Sequence, residues 1–356
     1  MTILTQASRQ LFARSADERY ASLADVLRAT TDMKNRCVST TIPRSELRPF
    51  VHDSYLSFQR FERMPIRLNN WSFTQLCQLA SASKDTVNRL TADTAVQVFT
   101  DLLSSRDERD DTFQTLVFDD RVVRSMNGPG YRRLWNGDLV RFLMEYAIDF
   151  VPPQKGFNGA TGLYAGEQDM FCFLINPSGW VEIGKEAFAP GFFVWNSEVG
   201  RRSIGISTFW FQSICCNHIV WDATEITEYT RRHTGAADTA FTEIRRLIEA
   251  LVEKRDGRKD AFASVIAKAM KTRYGHDAED VTKQLVDAGF VRTLATRAAA
   301  IAEEKGRFSI WSIVDALTQL SREHAFAAAG ARRTRRRRGS SRSRSPDLLF
   351  LRPIRH

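Results

Sequence analysis

The chain has 356 residues, 43% of them hydrophobic, enough to form the core of one large domain or of two ordinary ones. Its formal net charge of +9 suggests a nucleic-acid partner, but the excess charge lies at one end. Of the 51 basic and 42 acidic residues, ten arginines and one acid lie in residues 331–356, which leaves 41 of each in residues 1–330. A neutral body excludes a protein that attracts nucleic acid by a positive field over its whole surface.

Membrane and secretory segments are not expected. No stretch approaches the roughly 20 consecutive apolar residues that a membrane helix needs, and residues 1–9 lack the apolar core of a signal peptide. The cysteines form no paired framework, which is typical of proteins whose thiols stay reduced. They are Cys37, Cys77, Cys172, Cys215 and Cys216. We therefore expect a cytoplasmic protein without disulfides and without a membrane partner.

The first part of the chain, residues 1–110, is predicted to be mainly helical. Apolar residues recur near every 3.6 positions from Trp71 to Leu103. Residues 113–124 instead contain two β-rich runs separated by Asp119 and Asp120, which predicts a hairpin. A helix is expected over residues 137–147.

The centre of the chain changes in composition. Between Pro152 and Trp221, aromatic and β-branched residues punctuated by glycine and proline predict strands and turns. After Thr234 a single apolar stripe predicts a helix, and further helices are expected over 259–273, 277–288, 291–304 and 309–322. The stripe consists of Phe241, Ile244, Leu247, Ile248, Leu251 and Val252.

Strands in the middle with helices before and after predict an α+β fold with a mostly antiparallel sheet. The expected divisions are a helical N-terminal region (1–110), a central sheet region (111–234), a helical C-terminal region (235–324) and an Arg-rich tail (325–356). The tail has low complexity and too little apolar surface for a core, so it is expected to be disordered.

Two strings of the central block carry a family resemblance, GLYAGEQDMFCFLINP and GFFVWNSEVGRRSIGISTFWFQSICCNHIVW. With WSFTQLCQLASAS upstream, they resemble the phage/plasmid-like family known as domain of unknown function 932, over most of residues 10–320. The resemblance implies carriage on mobile genetic elements and no assigned reaction. The tail from Ala331 onward does not resemble the usual ending of that family.

The run from Asn196 to Ser203 is the segment whose composition most strongly suggests a binding function, because it places a carboxylate and two guanidinium groups between two apolar strands. Loops held by rigid strands often carry binding residues. The alternative is a hairpin turn in which Glu198 and Arg202 pair with each other or with solvent, which contributes little to stability. Both interpretations stay open.

Basic residues beside aromatic ones could form a stacking and phosphate-binding surface for single strands, although sheet aromatics are more often core. The tail arginines could neutralise phosphates without sequence preference, or the tail could be a reading-frame extension. The nucleic-acid candidates are Arg201, Arg202, Asn196, Glu198, Lys155, Arg132, Arg133, Arg335, Arg336, Arg337 and Arg338.

Residues 76–90 can also be aligned on a helix-turn-helix. The second helix would present Lys84, Asp85, Asn88 and Arg89. Ser81 stands where glycine is customary, and any pair of packed helices shows similar apolar spacing. Ordinary helix packing is the favoured interpretation.

Catalytic and metal sites are not predicted. Cys216 as nucleophile, His218 as base and Asp222 or Asp169 as orienting acid would form a catalytic site of the Cys/His type. However, the sequence shows no basic cluster or helix N-terminus nearby that would activate the thiol. The adjacent Cys215 and Cys216 lack the spacing of structural zinc sites. The glycines near residue 160 lack a phosphate-loop context, so no cofactor is expected.

Three functions remain open. The first is a non-enzymatic DNA-associated accessory protein of a phage or plasmid, which would bind single-stranded, replicating or nonspecific duplex DNA. The second is a protein-protein assembly or host-interaction protein, with possible self-association. The third is an unrecognised enzyme that uses Cys216 and His218.

Overall fold

The structure is a computed structural model that describes most of the chain between residues 14 and 320. The described residues are 14–52, 55–59, 65–104, 112–119, 121–153, 161–212, 218–220, 228–235, 237, 239–306 and 308–320. Lys155, Cys216 and the tail arginines lie outside them.

The helices are α1 (Leu23–Asn35), α2 (Asn70–Leu79), α3 (Lys84–Val87), α4 (Ala92–Ser104), α5 (Asn136–Tyr146), α6 (Thr239–Glu253), α7 (Arg255–Lys271), α8 (Ala278–Asp287), α9 (Arg292–Glu304) and α10 (310–320). Helices α1, α2, α3 and α8 begin at a side-chain cap, where Ser22, Asn69, Ser83 or Asp277 accepts a hydrogen bond from a free backbone N–H of the first turn. No helix of the described residues is long and apolar enough to cross a membrane.

The strands are β1 (Cys37–Pro43), β2 (Arg48–His52), β3 (Tyr55–Gln59), β4 (Pro65–Leu68), β5 (Thr112–Phe118), β6 (Val122–Asn127), β7 (Leu163–Ala165), β8 (Met170–Ile175), β9 (Val181–Ile183), β10 (Glu186–Asn196), β11 (Ile204–Gln212), β12 (His218–Val220) and β13 (Glu228–Arg231).

The first sheet has six strands in the order β1-β5-β6-β4-β3-β2, and only β4 and β6 run parallel. One face packs on α2, α3 and α4 through Leu76, Val87 and Phe99. The hairpin of β5 and β6 turns at Arg121, whose φ is +64°.

The second sheet has seven strands, all paired antiparallel, with β10 between β8 and β11. Every residue of β8 and β11 is buried. One face packs on α1, α5 and α6 through aliphatic residues such as Leu174 and Val194. The other face is an aromatic layer that includes Phe173, Phe193 and Phe209.

The C-terminal helices attach to the second sheet through stacked rings. Trp210 of β11 lies parallel to Phe262 of α7, with ring centroids 4.0 Å apart, and Phe188 contacts both Phe262 and Trp311 of α10. Helices α8, α9 and α10 share a separate core around Leu285 and Ala298.

The α+β fold class is confirmed, as are the hairpin, the central sheet and the helices predicted after residue 234. The N-terminal region contains the expected helices α1 to α4, together with four strands that the hydrophobic pattern did not predict. Strand β1 shows why these strands were not predicted. Its burial does not alternate regularly, and most of its residues are exposed or half-buried.

The glycines of the second sheet provide a test of its packing. A Cβ on Gly205 would lie 2.3 Å from Trp195 Cζ2 and 2.6 Å from the Tyr229 carbonyl oxygen. We expect Gly205→Ala to lower the free energy of unfolding by about 1–3 kcal/mol. Gly257→Ala is the control, because a Cβ at this position would lie more than 4 Å from any described heavy atom beyond its chain neighbours and the backbone of its own helix. Since Gly257 lies in α7, alanine should raise stability by about 0.5–1 kcal/mol there. Urea unfolding of both variants measures the two effects, and equal effects would contradict the packing.

Candidate functional site

The connection between β10 and β11, residues 197–203, is folded tightly against the first sheet. Ser197 Oγ donates to the Gln168 carbonyl oxygen at 2.6 Å and accepts from the Arg201 backbone N–H at 2.8 Å. Gly200 has a φ of +78°, and a Cβ there would lie 2.7 Å from Asn127 Oδ1. Glycine is needed at this point because the chain turns in the left-handed region against β6.

The Glu198 side chain lies between the two sheets, 1% exposed. Its Oε2 pairs with Arg124 Nη1 of β6 at 2.6 Å, and its Oε1 accepts from the Asn136 backbone N–H at 2.8 Å. The second contact places the carboxylate at the positive N-terminal end of α5. Arg124, also 1% exposed, donates from Nε and Nη2 to the Glu167 carbonyl oxygen. The buried pair joins the 197–203 connection of the second sheet to strand β6 of the first sheet, and we call the contacts around this pair the junction.

Arg133 lies beside this pair. Its Nη1 donates to the Glu198 carbonyl oxygen and to Ser125 Oγ, and its guanidinium lies over the rings of Tyr131 and Trp135. Burial lowers the pKa of Arg133. Its Nε and Nη2 are buried and meet no partner among the described residues. Arg133 therefore supports the junction and is not presented to solvent as a phosphate contact.

Helix α2 completes the junction. Trp71 Nε1 and Gln75 Nε2 both donate to the Val199 carbonyl oxygen at 2.9 Å. Gln75 Oε1 accepts from the Met126 backbone N–H at 3.0 Å. A carbonyl of the second sheet's connection is thus held by a helix that packs on the first sheet.

Arg202 is held by Asp169, and not by Glu198. Its Nε lies 2.6 Å from Asp169 Oδ2, Arg14 pairs with the other carboxylate oxygen, and both guanidinium groups lie over the Phe171 ring. The alternative in which Glu198 pairs with Arg202 is therefore wrong, because Glu198 pairs with Arg124. The two side chains leave the turn in different directions, which spacing in the sequence does not reveal. Asp169, the orienting acid of the catalytic alternative, is 5% exposed and already paired.

The predicted nucleic-acid residues that the structure describes include both buried and exposed side chains. Asn196 is fully buried, with Nδ2 donating to the Leu134 carbonyl oxygen and Asn136 Oδ1, so Asn196 and Glu198 are not available to a ligand. Arg132 and Arg201 are exposed. The flanking rings of Trp195 and Phe209 belong to the aromatic core.

Arg201 lies over the indole of Trp71, with its Cζ 4.9 Å from the ring centroid. No carboxylate of the described residues forms an ion pair with it. Lys84 lies at the same end of α2, where its Nζ donates to Asn70 Oδ1 and Thr74 Oγ1 at 2.6 Å. These two cations and the indole form what we call the α2 surface, defined by Trp71, Lys84 and Arg201.

The helix-turn-helix alignment fits the turn but not the second helix. Ser81 has a φ of +55°, the left-handed conformation that glycine usually supplies. Helix α3 has only four residues, and Lys84 bonds back to α2. One helical turn is too short to lie along a major groove as a recognition helix does.

Several junction residues were not predicted from the sequence. Arg124 carried a usable signal, because a lone arginine in the apolar strand run VVRSM implies a buried acidic partner. Trp71 and Gln75 carried no such signal, since their partner is a backbone carbonyl.

Of the catalytic alternative, Cys216 and the His218 side chain lie outside the described residues. Within the described residues, no group of three or more His, Cys, Asp or Glu side chains is placed to hold a metal ion.

No protein-family model, no curated protein and no solved structure matches this chain. The resemblance to the phage/plasmid-like family stays a prediction.

The buried ion pair leads to a stability prediction. Glu198→Ala leaves the Arg124 charge buried without its partner, so the free energy of unfolding should fall by about 3–5 kcal/mol. The matched control is Glu243→Ala, which breaks the exposed pair with Arg246 on α6 and should cost less than about 1 kcal/mol. Replacing both members, Arg124→Met with Glu198→Leu, should recover part of the loss. Urea unfolding measures all three, and similar losses at Glu198 and Glu243 would refute a linking role for the pair.

His233 leads to a pH prediction. Its ring stacks on Tyr131, and burial lowers its pKa below the usual 6.5, with Arg133 acting in the same direction. The unfolded chain therefore takes up this proton first, so the His233 contribution to stability is present above pH 6.5 and is lost as the pH falls toward the folded-state pKa. Unfolding free energies between about pH 7.5 and 5.5 should fall less steeply in His233→Gln than in the unsubstituted chain. Parallel profiles would contradict this assignment.

Proposed function

We propose that the chain is a non-enzymatic DNA-associated accessory protein that binds single-stranded DNA at the α2 surface. The observation that carries this proposal is the exposed Arg201 guanidinium over the Trp71 indole. Proteins that bind single strands without sequence preference combine aromatic rings, on which bases stack, with cations that contact the phosphates.

The charge on the α2 surface supports an anionic ligand. Among the described residues, Arg201 and Lys84 have no carboxylate partner, whereas the neighbouring Arg202 is neutralised by Asp169. Residues 1–330 as a whole are formally neutral. Binding by the body is therefore local, and two phosphate contacts give a salt slope of only about −1.4 on single strands.

The tail would add a different kind of binding. Arg335, Arg336, Arg337 and Arg338 belong to a run of like charge that neutralises phosphates of any sequence with a steep salt dependence. The resemblance to a phage- and plasmid-borne family agrees with DNA as the partner. A cytoplasmic location is part of the same proposal.

A protein-protein role, including self-association, is the second candidate. Near the end of α5, Met144 and Val151 are each 42% exposed and Ile148 is 78% exposed. Apolar side chains exposed along one short stretch of chain favour contact with another protein. The enzyme alternative gains no support from the described residues, since Asp169 is held by two arginines.

The proposal predicts the effect of Arg201→Ala on single-strand binding. The full chain with all ten arginines of residues 331–356 changed to serine serves as background, so that binding by the tail does not mask binding by the body. Removing the cation from the indole should weaken binding to a labelled thymidylate strand of about 12 nucleotides by roughly threefold to tenfold. Fluorescence anisotropy at several salt concentrations measures this.

The control is Arg246→Ala, which removes an exposed arginine of α6 and should leave the affinity unchanged. Equal affinities in Arg201→Ala, Arg246→Ala and the background would exclude the α2 surface. Tighter binding to duplex than to single strands in this background would also contradict the proposal.

A further inference from the structure

Three segments of the chain meet beside the 197–203 connection. Ser203 Oγ lies 2.8 Å from Thr230 Oγ1, which ties the connection to β13. The Arg132 backbone N–H donates to the His233 carbonyl oxygen at 2.7 Å, which ties the residues after β13 to the segment that precedes α5. Hydrogen bonds therefore hold the three segments together. They are residues 128–135, 197–203 and 228–235.

The charge of these segments is unbalanced. They contain six arginines but only two acids, Glu198 and Glu228. Glu198 is paired with Arg124, which lies outside the segments, and Glu228 forms no ion pair with any described residue. Positive charge is thus concentrated around the connection, although residues 1–330 as a whole are formally neutral.

Four of the six arginines are exposed. The other two are occupied, because Arg133 supports the junction and Arg202 pairs with Asp169. None of the four exposed guanidinium groups has a carboxylate partner among the described residues. Uncompensated cations on segments that are bonded to one another attract an anionic partner. They are Arg132, Arg201, Arg231 and Arg232.

The exposed arginines other than Arg201 form what we call the β13 surface, defined by Arg132, Arg231 and Arg232. This surface adjoins the α2 surface. Gly200 packs against the Tyr131 ring, since a Cβ on Gly200 would lie 3.3 Å from Tyr131 Cε2. Arg201 directly follows the first of these residues, and Arg132 directly follows the second. The two surfaces are therefore continuous across this contact.

We propose that the sugar-phosphate backbone of the strand bound at the α2 surface continues onto the β13 surface, where the three arginines contact its phosphates. A guanidinium group matches two phosphate oxygens at once, which makes arginine well suited to this contact. The inference rests on the proposed function, because the Trp71 indole is what favours a nucleic acid over an acidic peptide at these cations.

The β13 surface determines how strongly salt weakens binding by the body. Each phosphate contact on a single strand contributes about 0.7 to the slope of log K against log salt. The two cations of the α2 surface give a slope of about −1.4, and three further contacts steepen it to about −3.5. Phosphate contacts carry no sequence information, so the β13 surface adds affinity for strands of any sequence.

The test uses the full chain with the ten arginines of residues 331–356 changed to serine, and a labelled thymidylate strand of about 12 nucleotides. Fluorescence anisotropy between about 0.02 and 0.2 M salt should give a slope near −3.5 in this background. Arg132→Ala, Arg231→Ala and Arg232→Ala together should reduce the slope to about −1.4. At about 0.1 M salt this triple variant should bind roughly 100-fold more weakly.

The control removes three exposed cations of the C-terminal helices instead, through Arg246→Ala, Lys283→Ala and Arg292→Ala. It lowers the net charge by the same amount and should leave the slope unchanged. Circular dichroism should show the same helix and strand content in both triple variants, since every substituted side chain is exposed.

The outcomes separate the inference from the proposed function. A background slope near −1.4 that the β13 variant leaves unchanged, with Arg201→Ala still weakening binding, refutes the β13 surface and leaves the proposed function standing. Equal losses in the β13 variant and its control also refute the β13 surface. If the β13 variant alone weakens binding and Arg201→Ala does not, the α2 surface is excluded and the continuation with it.

Two further results would overturn the inference. If the strand does not bind the background protein at all, both proposals fail. If a labelled polyglutamate chain of the same length binds as tightly as the strand, the β13 surface is a site for an acidic peptide and not for a nucleic acid.

Discussion

The ion pair of Arg124 and Glu198 constrains the rest of this structure. Arg124 lies on strand β6 of the first sheet, Glu198 lies in the connection between two strands of the second sheet, and both are almost completely buried. A buried charge without a partner is strongly unfavourable, so the sheets must lie where the two side chains meet. The contacts of Trp71, Gln75 and Arg133 with the 197–203 connection are made around this pair.

The same constraint decides which cations remain available to a ligand. The connection enters the interior at Asn196 and Glu198 and turns back at Gly200, which leaves Arg201 at the surface. Arg202, one residue later, lies against Asp169 and Phe171. Two neighbouring arginines thus differ in exposure and in ion pairing because of the direction in which each side chain leaves the turn.

A formally neutral body limits the kind of binding that it can support. Long-range attraction needs a charge excess, and within residues 1–330 the basic and acidic residues are equal in number. Affinity at the α2 surface would depend on short-range contacts, namely stacking of bases on the Trp71 indole and contact of phosphates with Arg201. Stacking accepts any base, because every base has a flat π face.

The sequence by itself determined the α+β class, the β5–β6 hairpin, the central sheet and the C-terminal helices, because hydrophobic period and turn residues are local signals. It also placed the charge excess in residues 331–356. The sequence singled out the run from Asn196 to Ser203 as function-like. Only the tertiary structure decided that most of this run is a buried junction and that Arg201 lies on Trp71, 130 positions earlier in the chain. Residues so far apart in the chain are brought into contact by the packing of whole sheets. Spacing along the sequence therefore does not predict which of them meet.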